Sequence, residues 1–265
     1  MNKQPPVALS IAGSDSGCGA GIQVDLKTLS AHGVFATTAI TAVTIQNTFE
    51  VRGVFPVPSD VVKDQILAVL DDFDVLGAKT GMLASSQTVK MVGQLFAKHE
   101  MHHLVVDPVM ISSTGTRLLD TDAKNAYVEF LLPIASIVTP NIGEAEVLSE
   151  MKICSLADME RSAISIFKLG ARNVLVKGGH LDGDQSIDVF FNGNAIQHFS
   201  AQRIDSMNNH GTGCTLSAAI LAGLVNGSSL VNAIRHAKQY VSRALESSVD
   251  WKLGAGHGPL NHGIS

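Results

Sequence analysis

Val7-Ala8-Leu9-Ser10-Ile11-Ala12 runs directly into Gly13-Ser14-Asp15-Ser16-Gly17-Cys18-Gly19-Ala20-Gly21, and Ile22, Leu26 and Leu29 then recur at helical spacing. An apolar run, a glycine-rich loop and an amphipathic stretch in that order read as strand, loop and helix. The same order repeats outward. Residues 34–44, rich in Thr, Val and Ile, read as a strand, 61–73 as a helix with Val62, Ile66, Val69 and Leu70 on one face, and 75–79 as a short strand. Val89, Val92, Leu95 and Phe96 mark the next helix and Leu104-Val105-Val106-Asp107 the strand after it. Strands at 136–139, 173–177 and 187–192 alternate with helices near 141–150 and 157–169, and helices near 213–226 and 229–247 close the chain. Such alternation argues for an α/β sandwich with a mostly parallel central sheet. No linker or low-complexity segment divides the chain, so residues 1–265 read as a single domain.

Composition agrees. Of 265 residues, 45% are hydrophobic and 16% charged, enough for a sizeable core of small and β-branched side chains. That suits parallel strands covered on both faces. The net charge of −5, with no basic block, excludes a nucleic-acid or anionic-membrane surface as the expected partner. Cys18, Cys154 and Cys214 make no disulfide framework, the N-terminus leads straight into a strand, and the apolar stretch near 214–225 is too short to span a bilayer. A cytoplasmic protein is expected.

In sheets of this kind ligands bind beyond the carboxyl ends of the strands. Those ends carry Gly13–Gly21, Gln46-Asn47, Gly81-Met82, Asp107-Pro108, Thr139-Pro140-Asn141 and Lys177-Gly178-Gly179-His180. The strongest single segment is His210-Gly211-Thr212-Gly213-Cys214, followed by the helix formers Thr215-Leu216-Ser217-Ala218-Ala219-Ile220-Leu221. Glycines before a helix expose backbone N–H groups at the positive end of the macrodipole, which makes an anion site. Cys214 falls in that field, which is expected to favour its thiolate. Lys177 is placed to meet a nucleotide phosphate as a point charge. Asn141 reads as a helix N-cap and Glu144 either completes a capping box or holds a hydrated Mg²⁺; Asp107 is a second carboxylate for the metal and phosphates. Together these are the parts of phosphoryl transfer without a P-loop.

Other motifs are weaker. No Gly-x4-Gly-Lys-Ser/Thr occurs, and Ile22 stands where Gly-x-Gly-x-x-Gly needs its third glycine. His99-Glu100-Met101-His102-His103 matches a zinc-protease pattern formally, but Leu104-Val105-Val106 requires the helix to end there. The bland reading is a helix C-terminus with dipole-friendly histidines.

The ordered set Ala12–Gly17, Gly19-Ala20-Gly21-Ile22-Gln23-x-Asp25-Leu26-Lys27-Thr28, Gln46-Asn47-Thr48, Lys79-Thr80-Gly81-Met82-Leu83, Asp107-Pro108-Val109-Met110, Thr139-Pro140-Asn141, Glu144-Ala145, Lys177-Gly178-Gly179-His180 and His210–Thr215 resembles the ribokinase-like superfamily. Within it the chain resembles the hydroxymethylpyrimidine/phosphomethylpyrimidine kinases of thiamine biosynthesis, over essentially its whole length. The resemblance implies a three-layer α/β/α fold and ATP- and Mg²⁺-dependent phosphorylation of a hydroxymethyl group and then of the resulting monophosphate. It implies that Gln46 hydrogen-bonds the aminopyrimidine edge, that Ala20, Met82 and Val109 line the ring pocket, and that Asp25 sits close to it. Gly211, Thr212, Gly213 and Cys214 would form the anion hole, with Cys214 as general base or as the group that orients the hydroxyl. Asp107, Thr139, Asn141 and Lys177 fall on the nucleotide side, with Glu144 and Asp107 at the metal. Cys18 is a departure, since relatives usually carry Gly there.

A pyridoxine/pyridoxal kinase of vitamin B6 salvage is the alternative, disfavoured by Gln46-Asn47-Thr48. A non-catalytic sensor is disfavoured by the complete set Cys214, Lys177, Asp107 and Glu144, and a sugar kinase by the lack of Asp after Gly213. The expected partners are a small pyrimidine and ATP, with a homodimer left open. Residues 112–117 read as a flap.

Overall fold

The computed structural model describes residues 4–99, 101–110, 122–179 and 183–264. The flap expected at 112–117, Glu100 and His180 lie outside these residues. Among the described residues, nine strands form one sheet in the order β3-β2-β1-β4-β5-β6-β7-β8-β9. These are β1 (Val7–Asp15), β2 (Phe35–Gln46), β3 (Val51–Pro56), β4 (Val75–Thr80), β5 (Leu104–Val106), β6 (Ile137–Val138), β7 (Val174–Val176), β8 (Gln185–Phe191) and β9 (Ile196–Gln202). The six strands from β2 to β7 in that order pair in parallel, whereas β3, β8 and β9 are antiparallel additions at the edges.

Alternate residues of the central strands enter two separate cores. Val106, Val138, Val174 and Val176 pack with α2 (Ser59–Leu70), α3 (Ser86–His99), α5 (Ile142–Ser149), α6 (Leu156–Lys168), and α4 (Ala123–Ala126) with the π-helical turn Tyr127–Leu131 that continues it. Val105, Ile137 and Leu175 pack with α1 (Gly21–Ala31), α7 (Thr212–Val225) and α8 (Leu230–Glu246). This is the three-layer α/β/α sandwich. Each fully buried Val, Leu or Ile contributes on the order of 1.5–3 kcal/mol, so the two-sided burial of short strands such as β5 and β7 stabilises them despite their few ladder bonds. Helix α7 is apolar nearly all round, as a helix packed between the sheet, α1 and α8 must be.

The strand order reverses between β1 and β4, which makes the carboxyl ends of these strands the topological switch point. Helix α1 leaves β1 toward one face and α3 leaves β4 toward the other, so the two loops part there and open a crevice.

Two strands and one helix were not anticipated. β3 follows Gln46-Asn47, β9 follows residue 192 and the 123–131 helix precedes β6, all where the sequence pattern predicts no element. The His99 motif ends α3, and β5 begins at Leu104, so its histidines do not share one continuing helix.

Candidate active site

The crevice at the switch point is closed on one side by the start of α7. Gly211 is the N-cap, with φ of 84°, and no side chain caps the helix. The first amide to bond within the helix is Thr215 N–H, to Gly211 O at 2.8 Å. The amides of Gly213 and Cys214 are therefore not consumed by the helix ladder. Beneath this turn Lys177 Nζ donates to Asp107 Oδ1 at 2.7 Å, and Ser217 Oγ donates to Asp107 Oδ2 at 3.0 Å. A Cβ on Gly213 would stand 3.1 Å from Lys177 Nζ, so the absence of a side chain there lets this turn lie directly over the lysine. Burial works against the lysine's charge, but Asp107 and Glu144 more than offset this and hold Lys177 above its ordinary range.

Asn141 and Glu144 form a capping box. Glu144 N–H donates to Asn141 Oδ1 at 2.9 Å, and Asn141 N–H donates to Glu144 Oε2 at 2.8 Å. Glu144 is 3% exposed, and burial pushes its carboxyl up to about 7 against the pull of Lys177. Thr139 is buried, with its hydroxyl toward Val106 O at 3.5 Å.

The opposite wall is built from the first glycine loop. The Asp15 carboxylate accepts from Gly17 N–H at 2.8 Å, Ala20 N–H at 2.9 Å and Gly19 N–H at 3.1 Å, and from His210 Nε2 at 3.1 Å. Burial alone would raise its pKa, but the His210 contact and these amides bring it below the usual value. One end of the Gln46 amide lies 3.1 Å from His210 Nε2 and the other 3.2 Å from Thr44 Oγ1. Met82 backs this wall, its methyl lying 2.6 Å from where a Cβ on Gly13 would be. Ala20 and Val109 are half-buried near the same strand ends.

Under the floor lies a second charged cluster. Lys79 Nζ reaches both oxygens of Asp25 at 2.9 Å, Ser10 Oγ donates to Asp25 Oδ2 at 2.6 Å, and all three residues are fully buried. The Gly21 N–H, at the first residue of α1, favours the charged form of the Cys214 thiol, so the thiol lies by the starts of two helices.

A family model described as phosphomethylpyrimidine kinase matches residues 15–261. The chain belongs to that family. It is 46% identical over 260 residues to a hydroxymethylpyrimidine/phosphomethylpyrimidine kinase of Rhizobium meliloti, covering 97% of this chain and 96% of the relative. It is 45% identical to a thiamine biosynthesis bifunctional protein of Geobacter sulfurreducens, covering 96% of this chain but spanning only 51% of that protein. Among solved structures it is similar to the pyridoxal kinase of Staphylococcus aureus in complex with AMP-PCP and pyridoxal, with a TM-score of 0.90 and 36% identity over 98% of this chain and 94% of that one.

As a phosphomethylpyrimidine kinase family member the chain is a kinase with a ribokinase-like fold. One expectation about its site needs correction. The field at the start of α7 was expected to favour a Cys214 thiolate. Burial is the largest influence instead, helped by Asp25 and Asp107, and it outweighs Lys79 to push the thiol up to about 11. Asp25, expected close to the ring pocket, lies under the floor of the crevice, with its carboxylate on Lys79 and Ser10 and no exposed surface. Sequence reasoning missed Lys79, Asp15 and His210 as parts of the site, although each stands inside a quoted motif. Among the described residues, the groove of about 750 Å³ between β9 and α8 contains none of the site residues.

Among the described residues no cluster of three metal-ligating side chains is present. Both oxygens of Asp107 and one of Glu144 already accept protein hydrogen bonds. Tyr127 Oη is buried without a hydrogen-bond partner, close enough to Glu144 and Asp107 for both to push its pKa up in addition to burial. Half-spent carboxylates and an unpaired hydroxyl fit a magnesium ion held through its water shell.

Proposed function

We propose that this kinase transfers phosphate from ATP to the hydroxymethyl group of 4-amino-5-hydroxymethyl-2-methylpyrimidine, and then phosphorylates the monophosphate, in thiamine biosynthesis. The observation that carries the reading is the convergence of the uncapped α7 turn, Lys177 and Asp107 on one wall with the Gln46 amide on the other. Gly211, Thr212, Gly213 and Cys214 form the hole that receives the transferring phosphoryl group, and Lys177 neutralises its developing charge. Gln46 reads the amino edge of the pyrimidine, while Ala20, Met82 and Val109 enclose the ring. Asn141 and Thr139 shape the nucleotide side. When bound, Mg²⁺ supplies charge neutralisation on the phosphates, held by Glu144 and Asp107 through water. In a loose transition state the alcohol proton leaves late, and Cys214, as thiolate, takes it.

The same reading includes a cytoplasmic location, supported by three free cysteines. It also includes a homodimer through the β2–β3 edge, where Val43, Ile45 and Phe55 are exposed together. No helix among the described residues is long and apolar enough to cross a membrane. Pyridoxal is a second candidate substrate, favoured by the likeness to the Staphylococcus aureus enzyme. A coupled ATPase assay with the pyrimidine and with pyridoxal, following products by mass, tests both. Mono- and then diphosphorylated pyrimidine is the expected result; turnover of pyridoxal alone would reassign the activity, and sedimentation of a monomer at micromolar concentration would remove the dimer.

A further inference from the structure

The hydrogen inventory around Gln46 has only one consistent solution. The Thr44 hydroxyl lies 3.0 Å from Ser14 O and 3.2 Å from one end of the Gln46 amide. It has a single proton, and a carbonyl can only accept, so that proton goes to Ser14 O. The end of Gln46 that faces Thr44 must then be the donor, its NH₂ group. The second wall gives the same answer independently. Asp15 already accepts three backbone N–H groups, so it is an acceptor toward His210 too, and the proton of that contact sits on His210 Nε2. The end of Gln46 that faces His210 Nε2 at 3.1 Å must then be its carbonyl oxygen, sharing that one proton with Asp15, because an NH₂ group there would set donor against donor. The structure as drawn sets Gln46 Oε1 toward Thr44 and Nε2 toward His210, but amide ends are distinguished by partners rather than by shape, and here both partners require the amide turned end for end.

We propose that Asp15 and His210 act as positioning residues that fix the polarity of the Gln46 amide, carbonyl toward His210 and NH₂ toward Thr44, and thereby decide which way round the substrate ring lies. The inference rests on the pyrimidine-kinase reading given above. A 4-aminopyrimidine presents its amino donor beside its ring N3 acceptor, and the amino group lies between N3 and the carbon that bears the hydroxymethyl arm. With the Gln46 carbonyl toward His210, the amino group lies on the His210 side and N3 on the Thr44 side. The hydroxymethyl arm, next to the amino group, then extends toward His210 and the Gly211–Cys214 turn that follows it in the chain. A reversed amide would send the arm toward Ser14 and away from the thiol. The relay is rigidly mounted. The His210 ring covers Gly19 so closely that a Cβ there would stand 2.2 Å from Cδ2, and His210 N–H donates to Gly258 O at 3.0 Å.

The test compares the amino substrate with its 4-oxo analogue, whose C=O acceptor and N3–H donor reverse that edge. The wild-type protein is expected to prefer the amino compound in kcat/KM by at least about 10²-fold, as sites with fixed hydrogen-bond polarity do. His210→Phe keeps a ring over Gly19 but frees the amide to turn, so that preference is expected to fall by about tenfold or more, the worth of one buried hydrogen bond. His210→Gln restores an N–H toward Asp15 and is expected to restore much of the preference. Equal losses on both substrates, with the ratio unchanged, would overturn the proposal and leave His210 a packing residue. Nitrogen NMR of the wild-type protein provides an arm independent of the variants and of the substrate. His210 is expected with Nε2 protonated, and a bare Nε2 would overturn the assignment. If wild-type protein phosphorylates neither compound while Nε2 is protonated, the functional reading fails and the polarity of Gln46 stands.

Discussion

Lys79 Nζ is held 2.9 Å from each carboxylate oxygen of Asp25, with no exposed surface on either side chain, directly behind the strand end that carries Gly81. Burial disfavours the lysine's charge, but Asp25, with Asp107, overrides it and keeps Lys79 protonated. A buried pair of this kind is costly to break from one side, because the remaining charge loses its partner but stays out of water. Lys79→Met is therefore expected to lower unfolding free energy by about 3–5 kcal/mol in urea titrations. The double variant Lys79→Met/Asp25→Leu is expected to recover most of that loss. A double variant no more stable than the single one would mean that the pair stabilises the fold by its attraction.

Cys214 is expected to behave as a slow thiol that strengthens as a base with pH. With its pKa near 11 the thiolate is scarce at neutral pH, and its population rises about tenfold per unit below that value. If the thiolate takes the alcohol proton, log kcat climbs with pH between about 7 and 9 with a slope approaching one. Cys214→Ala is expected to lower kcat by ~10²–10⁴-fold. Mass-resolved alkylation should label the exposed Cys18 and Cys154 well before Cys214. A flat pH profile in wild-type protein would reduce Cys214 to orienting the hydroxyl.

The parts of this molecule that the sequence made legible are those whose signal is local. β5 and β7 are apolar runs buried on both faces, and α5 carries its capping box in four consecutive residues, so each announces itself. β9 alternates exposed polar residues with Phe199 at the free edge of the sheet, and β3 contains Gly53 and ends in Pro56, so neither shows a buried run. The site divides the same way. Lys177 and Asp107 were placed by strand ends, but the ion pair of Asp25 with Lys79 spans 54 positions, and that of Asp15 with His210 spans 195. Only the fold brings those charges together. The misjudged thiol has the same origin: a helix start is visible in sequence, whereas the depth of burial that outweighs it is not.

Glu144 is expected to make stability fall as pH rises. Its carboxyl is held near 7 in the folded protein against an ordinary 4.5, so between these values the folded state binds more protons than the unfolded one. Stability is then greatest below about 4.5, declines through the window up to about 7, and levels off above it, as far as this group is concerned. Glu144→Gln keeps the size and the acceptor for Asn141 N–H but does not titrate. Denaturant midpoints for the variant should lose this downward slope, so that variant and wild type diverge most above pH 7. Parallel pH profiles for the two proteins would show that Glu144 remains ionised throughout.

Gly211 brings the two glycine loops into close backbone contact. Its φ of 84° is left-handed, and a Cβ there would stand 1.9 Å from Gly19 O and 3.0 Å from the Gly19 carbonyl carbon. Gly33 provides the control, with φ of 71° and nothing within 4 Å of its missing Cβ. Gly33→Ala meets only the left-handed penalty and is expected to cost about 1–2 kcal/mol of stability with kcat unchanged. Gly211→Ala meets the same penalty and must also drive the His210–Cys214 turn away from the Asp15 loop. If that turn receives the transferring phosphoryl group, displacing it by even 1 Å moves it off its target, and misplacement on that scale is worth about 10²-fold in rate. Gly211→Ala is therefore expected to lower kcat/KM by about 10²-fold or more and to lose more stability than Gly33→Ala. If both variants lose the same stability and both keep kcat, the contact between Gly19 and Gly211 does not hold the two walls of the site together.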